Sequence, residues 1–328
     1  MYMFYQRGRN IEPVLVPDNY RKYVFPICGF ELPDDKIFSL GSIQFINKKA
    51  LCEQFTGQSE LFSKFQIKTF AIVNLDYMNL VNDYENGYNS LALKLLKEVI
   101  GYLNIIIYKK HGIKKERKIM ITSIAEIEMD DGLVPYMVFN SKNELVLKNC
   151  SKIDLILNYS ELDPRLITEE ERVLFQTRYE DRTELQMKIF KSFEYLYYTF
   201  NEIYTSERMI KYFIILNHML REGNGKDLNR KGIMSLLNTL FYNIGEVDLT
   251  DDKFTVVFEN LYERMRNDIL HGILSPFDES SVVMAEDYYL LKKIVIELMI
   301  LIINNKKICK LTTIDELHSL IKSSRGSR

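Results

Sequence analysis

The sequence predicts an α+β protein, in which an N-terminal mixed α/β domain is followed by an all-α, helical-bundle domain. Three observations predict this division. Short β-branched runs surround one helical pattern before residue 160. Long stretches with helical spacing follow from about residue 168. Four of the 7 prolines lie within residues 1–35, which indicates an extended lead-in with one short strand.

The N-terminal domain is expected to span residues 1–160. Its strand-like runs are short and rich in β-branched and aromatic residues, and they begin at Lys36, Ser42, Phe65, Lys118, Tyr136 and Ile153. Residues 90–108 instead place apolar side chains at helical spacing. We therefore expect one helix to pack on a sheet.

The C-terminal domain is expected to span residues 165–322. Helices are predicted at about 168–178, 181–205, 207–222, 229–242, 251–271, 284–304 and 312–322. Residues 323–328 have no apolar anchor and are predicted to form a flexible tail. The apolar run Ile294–Ile303 is too short for a membrane span, so it predicts a buried helix and no membrane partner.

Composition excludes several classes of protein. An apolar content of 47% excludes a mainly disordered chain, and a net charge of −2 excludes a polybasic nucleic-acid binder. Cysteines at 28, 52, 150 and 309 form no close pair, and the first ten residues lack a secretory signal. A reducing cytoplasm is the expected location.

Charge divides unequally between the two halves. Residues 1–160 carry 20 basic and 18 acidic side chains, whereas residues 161–328 carry 23 and 27. The densest basic run contains Lys109, Lys110, Lys114, Lys115, Arg117 and Lys118. This run is interpreted either as a solvated loop or as an RNA or anionic-ligand contact.

Common catalytic signatures are absent from the sequence. It contains no P-loop, no dinucleotide-binding glycine pattern, no zinc H-E-x-x-H motif and no nucleophile elbow. The 4 histidines, at positions 111, 218, 271 and 318, are too far apart for a local metal site. His218 lies within an apolar helical pattern and is expected to be a core or interface residue, whereas His111 and His318 are expected to be solvated. We expect no metal and no cofactor.

One segment does concentrate reactive groups. Residues 261–272, LYERMRNDILHG, place an arginine, an amide, a carboxylate and a histidine near a predicted helix end, with Gly272 as the terminating residue. The helix dipole favours a protonated His271 there, which suits general acid/base chemistry. An arginine stabilises charge on a reacting phosphate. These are the requirements of metal-independent RNA cleavage, although helix capping by His271 and a surface ion pair of Arg266 explain the pattern too.

The same segment resembles the signature of the HEPN superfamily, particularly its Apea-like branch. That signature has an arginine, a polar residue directly after it, a histidine separated from the arginine by four to six residues, and often a following glycine. Arg266, Asn267, His271 and Gly272 match each position. The resemblance covers about residues 165–310, because two long helices precede the motif and an apolar helix follows it.

The resemblance implies a homodimeric, metal-independent endoribonuclease whose motif helices face each other and form one cleft. Arg266 would bind the scissile phosphate, His271 would act as acid or base, and Asn267 would position either. Arg264 also fits the pattern and, at about 100° per residue, shares a helix face with His271. HEPN toxins silenced by adenylylation have Tyr two residues after the His, but this chain has Ile273, so no such antitoxin partner is expected.

The resemblance also implies a role in anti-phage defence. It does not cover residues 1–160, and for this N-terminal domain we expect a role in recruiting RNA or in sensing a phage component or nucleotide. A different class remains open, namely a catalytically silent HEPN scaffold that binds a nucleotide or protein partner, since the helical half is acidic. A weaker alternative places an enzyme site around Asp76 and Asp83 in the N-terminal domain.

Overall fold

The computed structural model of the protein describes residues 5–6, 9–10, 20–32, 37–63, 67–76, 88–112, 120–121, 136–149, 160–161, 164–202, 205–222, 228–245, 258, 262 and 285–325. Its strands are β1 (Tyr5–Gln6), β2 (Arg9–Asn10), β3 (Tyr20–Cys28), β4 (Phe30–Glu31), β5 (Phe38–Leu40), β6 (Ile43–Asn47), β7 (Thr69–Asp76), β8 (Met120–Ile121), β9 (Tyr136–Asn140), β10 (Leu145–Asn149) and β11 (Ser160–Glu161). Its helices are α1 (Lys48–Gln54), α2 (Ser59–Ser63), α3 (Tyr88–His111), α4 (Glu169–Gln176), α5 (Glu184–Asn201), α6 (Thr205–Leu220), α7 (Arg230–Asn238), α8 (Ala285–Asn304) and α9 (Ile314–Arg325). A π-helix, Thr239–Ile244, continues α7, and 3₁₀ turns span Pro164–Leu166 and Tyr179–Asp181.

An antiparallel sheet forms the centre of the N-terminal half. Its strand order is β10-β9-β3-β7-β6-β5, and β8 pairs with the end of β3. Two small ladders lie apart from this sheet: β1 pairs antiparallel with β2, and β11 pairs parallel with β4. The mixed α+β class predicted from the sequence is therefore confirmed.

The prediction for residues 1–35 was wrong in one respect. Instead of one short strand in an extended lead-in, β3 is a nine-residue strand at the centre of the sheet, paired with β7 along its length. Pro26 lies between the residues that pair with β9 and those that pair with β8. A proline removes a backbone donor, and this position, where one neighbouring strand gives way to the next, tolerates that loss.

Both faces of the sheet are buried. Alternate residues of β3 point to opposite sides, so that Tyr23, Phe25 and Ile27 join one apolar cluster while Val24 and Cys28 join another. Helices α1 and α2 complete the second cluster. Only strands were predicted from the sequence in this region. With seven and five residues these two helices are too short to show a helical period.

The long helix α3 packs on the first face of the sheet, as predicted for residues 90–108. Its opposite side contacts α5, so that one apolar cluster contains residues of the sheet, of α3 and of the C-terminal helices. Gly101 marks the closest approach, because a Cβ atom there would lie 1.9 Å from the carbonyl oxygen of Phe193. The core is thus continuous across residue 160, and the boundary between two domains stays a prediction.

The C-terminal half is helical in its described part, with α6 in contact with α5, α7 and α8. Thr168 and Thr183 begin α4 and α5 with complete capping boxes. The predicted helices at 168–178, 181–205, 207–222, 229–242, 284–304 and 312–322 are confirmed within a few residues. The helix predicted at 251–271 lies outside the described residues except for Phe258 and Tyr262, and the strand predicted from Ile153 lies wholly outside them.

Within the described ranges, no helix has both the length and the apolar character that crossing a membrane requires. The apolar helix predicted around Ile294–Ile303 is α8. Its side chains Ile294, Val295, Ile296, Leu298 and Met299 are all buried, as expected for a core helix.

Candidate functional site

The predicted catalytic residues Arg264, Arg266, Asn267 and His271 lie outside the described residues. Two residues just before them are described, namely Phe258 and Tyr262. Both are buried, at 1% and 4% exposure. Their rings lie 5.6 and 5.4 Å from the ring of Phe213 on α6, the latter edge to face. Phe258 and Tyr262, which precede the predicted catalytic residues in the sequence, therefore pack against α6.

A chain of hydrogen bonds adds to these contacts. The hydroxyl of Tyr262 donates to the carbonyl oxygen of Leu228 at 3.0 Å. The backbone N–H of Leu228 in turn donates to the side-chain oxygen of Asn217 at 2.9 Å. Because Asn217 is on α6 and Leu228 immediately precedes Asn229, the N-cap of α7, the start of the motif segment is held by both helices.

His218 follows Asn217 on α6 and packs edge to face against Tyr195 of α5, with ring centroids 5.5 Å apart. Burial, together with the positive charges of Lys188 and Arg221, lowers the pKa of His218 to about 4. The imidazole is therefore neutral at pH 7. This agrees with the prediction that His218 is a core or interface residue, and it excludes a stable imidazolium at this position.

Hydrogen-bond donors from α5 and α9 contact the backbone carbonyl groups at the C-terminal end of α6. Lys188 donates to the carbonyl oxygens of His218 and Arg221 at 3.3 and 2.6 Å. His318 of α9 donates through Nε2 to the carbonyl oxygen of Leu220 at 2.7 Å. These donors satisfy carbonyl groups that a helix end leaves without intrahelical partners, at the end where the helix dipole favours cations.

The donors at the C-terminal end of α6 were not predicted from the sequence, because Lys188 lies 30 residues from His218 and no local spacing connects them. The prediction for His318 was also wrong, because this residue was expected to be solvated but is 6% exposed. His318 lies on the face of α9 that carries Ile314, Leu317 and Ile321 to the core. The position of a histidine on an amphipathic helix face was the signal available in the sequence.

The predicted basic run is described only in part. Lys109 and Lys110 lie in the last turn of α3, whereas Lys114, Lys115, Arg117 and Lys118 lie outside the described residues. Lys109 bonds to the carboxylate of Glu171 at 2.7 Å, and its side chain is 18% exposed. Lys110 is exposed. An RNA contact for this run stays a prediction, and Lys109 already has an internal partner.

Two buried carboxylates lie near α3. Burial opposes ionisation of Glu171, but the Lys109 ammonium and the backbone N–H of Thr168 outweigh it and hold the pKa of Glu171 below its usual value. For Glu98 burial prevails and raises the pKa, although Arg182 donates to it at 2.8 Å. Both groups make internal bonds that join α3 to the helical half, so we interpret them as structural.

In the part of the chain that the structure describes, no cluster of three or more histidine, cysteine or acidic side chains is arranged to hold a metal ion. Asp76 is the last residue of β7, and Asp83 lies outside the described ranges. No family model, no curated protein and no solved structure matches the chain.

Proposed function

We propose that the protein is a metal-independent endoribonuclease of HEPN type that acts as a homodimer. Arg266, Asn267 and His271 are the proposed site residues, with Arg264 as the alternative arginine. The nuclease would serve in anti-phage defence, as a toxin for the infected cell, and the N-terminal half would recruit RNA or respond to a phage component or nucleotide. This role rests on the resemblance of residues 261–272 to the HEPN motif.

The structural observation that supports the proposal is the burial of Tyr262, which lies four residues before Arg266 in the sequence. A residue that is 4% exposed and bonded to Leu228 fixes the start of the motif segment against the helical half. A catalytic pair needs such support, because side chains must be held within a fraction of an ångström of the reacting geometry. Helix α6, which carries Phe213, and the start of α7, which follows Leu228, provide the rigid elements that contact Tyr262.

The proposed chemistry is an internal transesterification of RNA. One basic group takes the proton of a ribose 2′-OH, whose oxygen attacks the adjacent phosphorus while the bond from phosphorus to the 5′-oxygen breaks. An acidic group then donates a proton to that 5′-oxygen. The products are a 2′,3′-cyclic phosphate and a 5′-hydroxyl end, with no net consumption of water or metal.

His271 fits one of these proton-transfer roles, because imidazole is the side chain that ordinarily exchanges a proton close to neutral pH. Arg266 fits the stabilisation of the charge that builds on the phosphate oxygens. His218 fits neither role as a charged group, because its pKa of about 4 keeps it neutral.

The test is cleavage of a labelled single-stranded RNA by the purified protein in the presence of EDTA. We expect His271→Ala and Arg266→Ala each to lower the rate at least about 100-fold, as loss of an acid/base group or of transition-state charge stabilisation does. Arg178→Ala is the matched control, because this exposed arginine begins a 3₁₀ turn and is not part of the proposed motif. Melting temperature and oligomeric state establish that the variants are folded.

Two results would contradict the proposal. One is unchanged cleavage by both purified variants. The other is cleavage of a substrate that carries a single 2′-deoxyribose at the cut position, because the proposed nucleophile is then missing.

The alternative is a catalytically silent HEPN scaffold that binds a nucleotide or protein partner. It is favoured by the acidic balance of the helical half, with 23 basic and 27 acidic side chains in residues 161–328, because such a surface repels RNA. Neither cleavage nor binding of unstructured RNA at low salt would favour the scaffold. Metal-independent cleavage that requires His271 would exclude it.

A further inference from the structure

An apolar cavity of about 310 Å³ lies in the helical half, between α4, α5, the end of α8 and the turn that follows α8. Its walls include Leu174, Leu185, Ile189, Ile302, Ile303 and Ile308. A cavity of about 150 Å³ lined by such side chains accommodates benzene. The space here is sufficient for an aromatic ring with a short chain, and it is within the size range of small-molecule sites.

Hydrogen bonds between the elements that form the walls keep the cavity open. At one side, Thr168 donates to the side-chain oxygen of Asn304 at 2.6 Å, which ties the start of α4 to the end of α8. At the other, the N–H of Leu185 donates to the carbonyl oxygen of Thr312 at 3.0 Å, which ties α5 to the segment before α9. The cavity is therefore formed without a ligand, so that little ordering opposes binding.

The polar groups of the lining define the ligand further. They are Glu169 and Glu170 of α4, Gln186 of α5 and the thiol of Cys309. Among the described residues that line the cavity, the two carboxylates are the charged side chains, and none is basic. The nearby lysines 306, 307 and 310 are exposed and lie outside the lining. A cationic group at the mouth is favoured over an anionic one.

We propose that this cavity binds a small amine with an apolar body, whose protonated nitrogen lies near Glu169 and Glu170. The apolar body displaces water from the aliphatic walls, which supplies most of the affinity. The carboxylates supply selectivity for the charged nitrogen. The proposal does not depend on the proposed RNA-cleaving residues.

Cys309 provides a direct reporter. Cys309 is one of the residues that line the cavity and is exposed, whereas Cys28 is buried and Cys52 is half-buried. We would measure the rate of Cys309 alkylation by a maleimide, located by mass spectrometry of the labelled peptide, together with the melting temperature. The probes are phenylpropylamine, phenylpropanol and phenylpropanoate, which share one apolar body and differ in the charge of the head group.

Phenylpropylamine is expected to slow alkylation of Cys309 saturably and to raise the melting temperature. Its affinity should exceed that of phenylpropanol about fivefold, as expected for an ion pair at a cavity mouth, and phenylpropanoate should bind more weakly than either. In Cys309→Ser the rise in melting temperature should persist, which separates ligand binding from chemistry at the thiol. Equal affinities of the amine and the alcohol would overturn the proposal.

Variants test the two parts of the site independently. The double substitution Glu169→Gln and Glu170→Gln should abolish the preference for the amine while leaving phenylpropanol binding unchanged. Ile189→Phe, which fills the cavity, should weaken all probes at least tenfold, and Leu311→Phe at the turn serves the same purpose if Ile189→Phe fails to fold. Undiminished binding to a folded cavity-filling variant, or no binding of any probe to the wild type, would also overturn the proposal.

Discussion

Gly101 of α3 lies directly against the carbonyl oxygen of Phe193 on α5, so close that a Cβ atom at position 101 would be 1.9 Å from that oxygen. The contact joins a helix that covers the sheet to a helix of the C-terminal half. Since the neighbouring atom belongs to the backbone, no side-chain rotation can make room for a methyl group.

We therefore expect Gly101→Ala to lower the free energy of unfolding by about 3 kcal/mol, because α3 and α5 must move apart. Gly232→Ala is the matched control. Gly232 lies within α7, and a Cβ atom at this position would be 3.4 Å or more from its nearest neighbours. That change should be neutral or raise stability by up to about 1 kcal/mol. Urea denaturation of both variants checks the prediction, and equal stabilities would contradict it.

The bond between Lys109 and Glu171 gives a second prediction. Lys109→Met leaves a carboxylate with no exposed side-chain surface and without its cation, so the free energy of unfolding should fall by about 3 kcal/mol. Adding Glu171→Gln should restore most of this loss, because the buried charge is then removed. Lys68→Met breaks a solvent-exposed ion pair with Glu31 and should change stability by less than about 1 kcal/mol.

The same carboxylate predicts a pH dependence of stability. The folded-state pKa of Glu171 is lower than its usual value of 4.5, so its ionised form stabilises the fold above pH 4.5. This contribution is lost as the pH falls below 4.5 through the folded-state value. Below pH 5 the free energy of unfolding, measured by denaturation, should therefore fall more steeply with decreasing pH for the wild type than for Glu171→Gln. An equal pH dependence of the two proteins would argue against the lowered pKa of Glu171.

The lowered pKa of His218 predicts a separate loss of stability in mild acid. Its pKa falls from 6.5 to about 4 in the folded protein, so the neutral form stabilises the fold above pH 6.5 and the contribution disappears as the pH falls towards 4. After allowance for partial exposure this amounts to about 1–2 kcal/mol. His218→Phe keeps an aromatic contact with Tyr195 and should flatten this part of the stability profile, which thermal melts between pH 7 and pH 4 would reveal.

Mixing two inactive variants tests how the proposed dimer builds its site. If Arg266 and His271 of one site come from different chains, a heterodimer of Arg266→Ala and His271→Ala contains one intact pair. Under statistical mixing about half of the dimers are heterodimers, and each heterodimer has one intact site of two. About a quarter of the wild-type RNA cleavage rate should therefore be restored. No recovery after subunit exchange, verified by differently tagged chains, would instead place both groups of a site on the same chain.

Local sequence patterns were sufficient for the long helices. The capping residues Thr168 and Thr183 and the apolar spacing of α5 and α8 are interactions among near neighbours in the chain, so they are legible without a fold. The short helices α1 and α2 were missed because seven and five residues do not establish a period. The length of the central strand β3 was underestimated, because a proline such as Pro26 disfavours a central strand. The sequence alone does not show that the neighbouring strand changes from β9 to β8 at this position.

The candidate site divides in the same way. The motif from Arg266 to Gly272 is a property of the sequence, because residue types and their spacing are enough to define it. Three other features are properties of the tertiary structure. They are the bond between Lys109 and Glu171, the neutral state of His218, and the apolar cavity between α4, α5 and α8. Each depends on groups distant in the chain, because burial and electrostatic interaction are set by distance in space rather than by sequence separation.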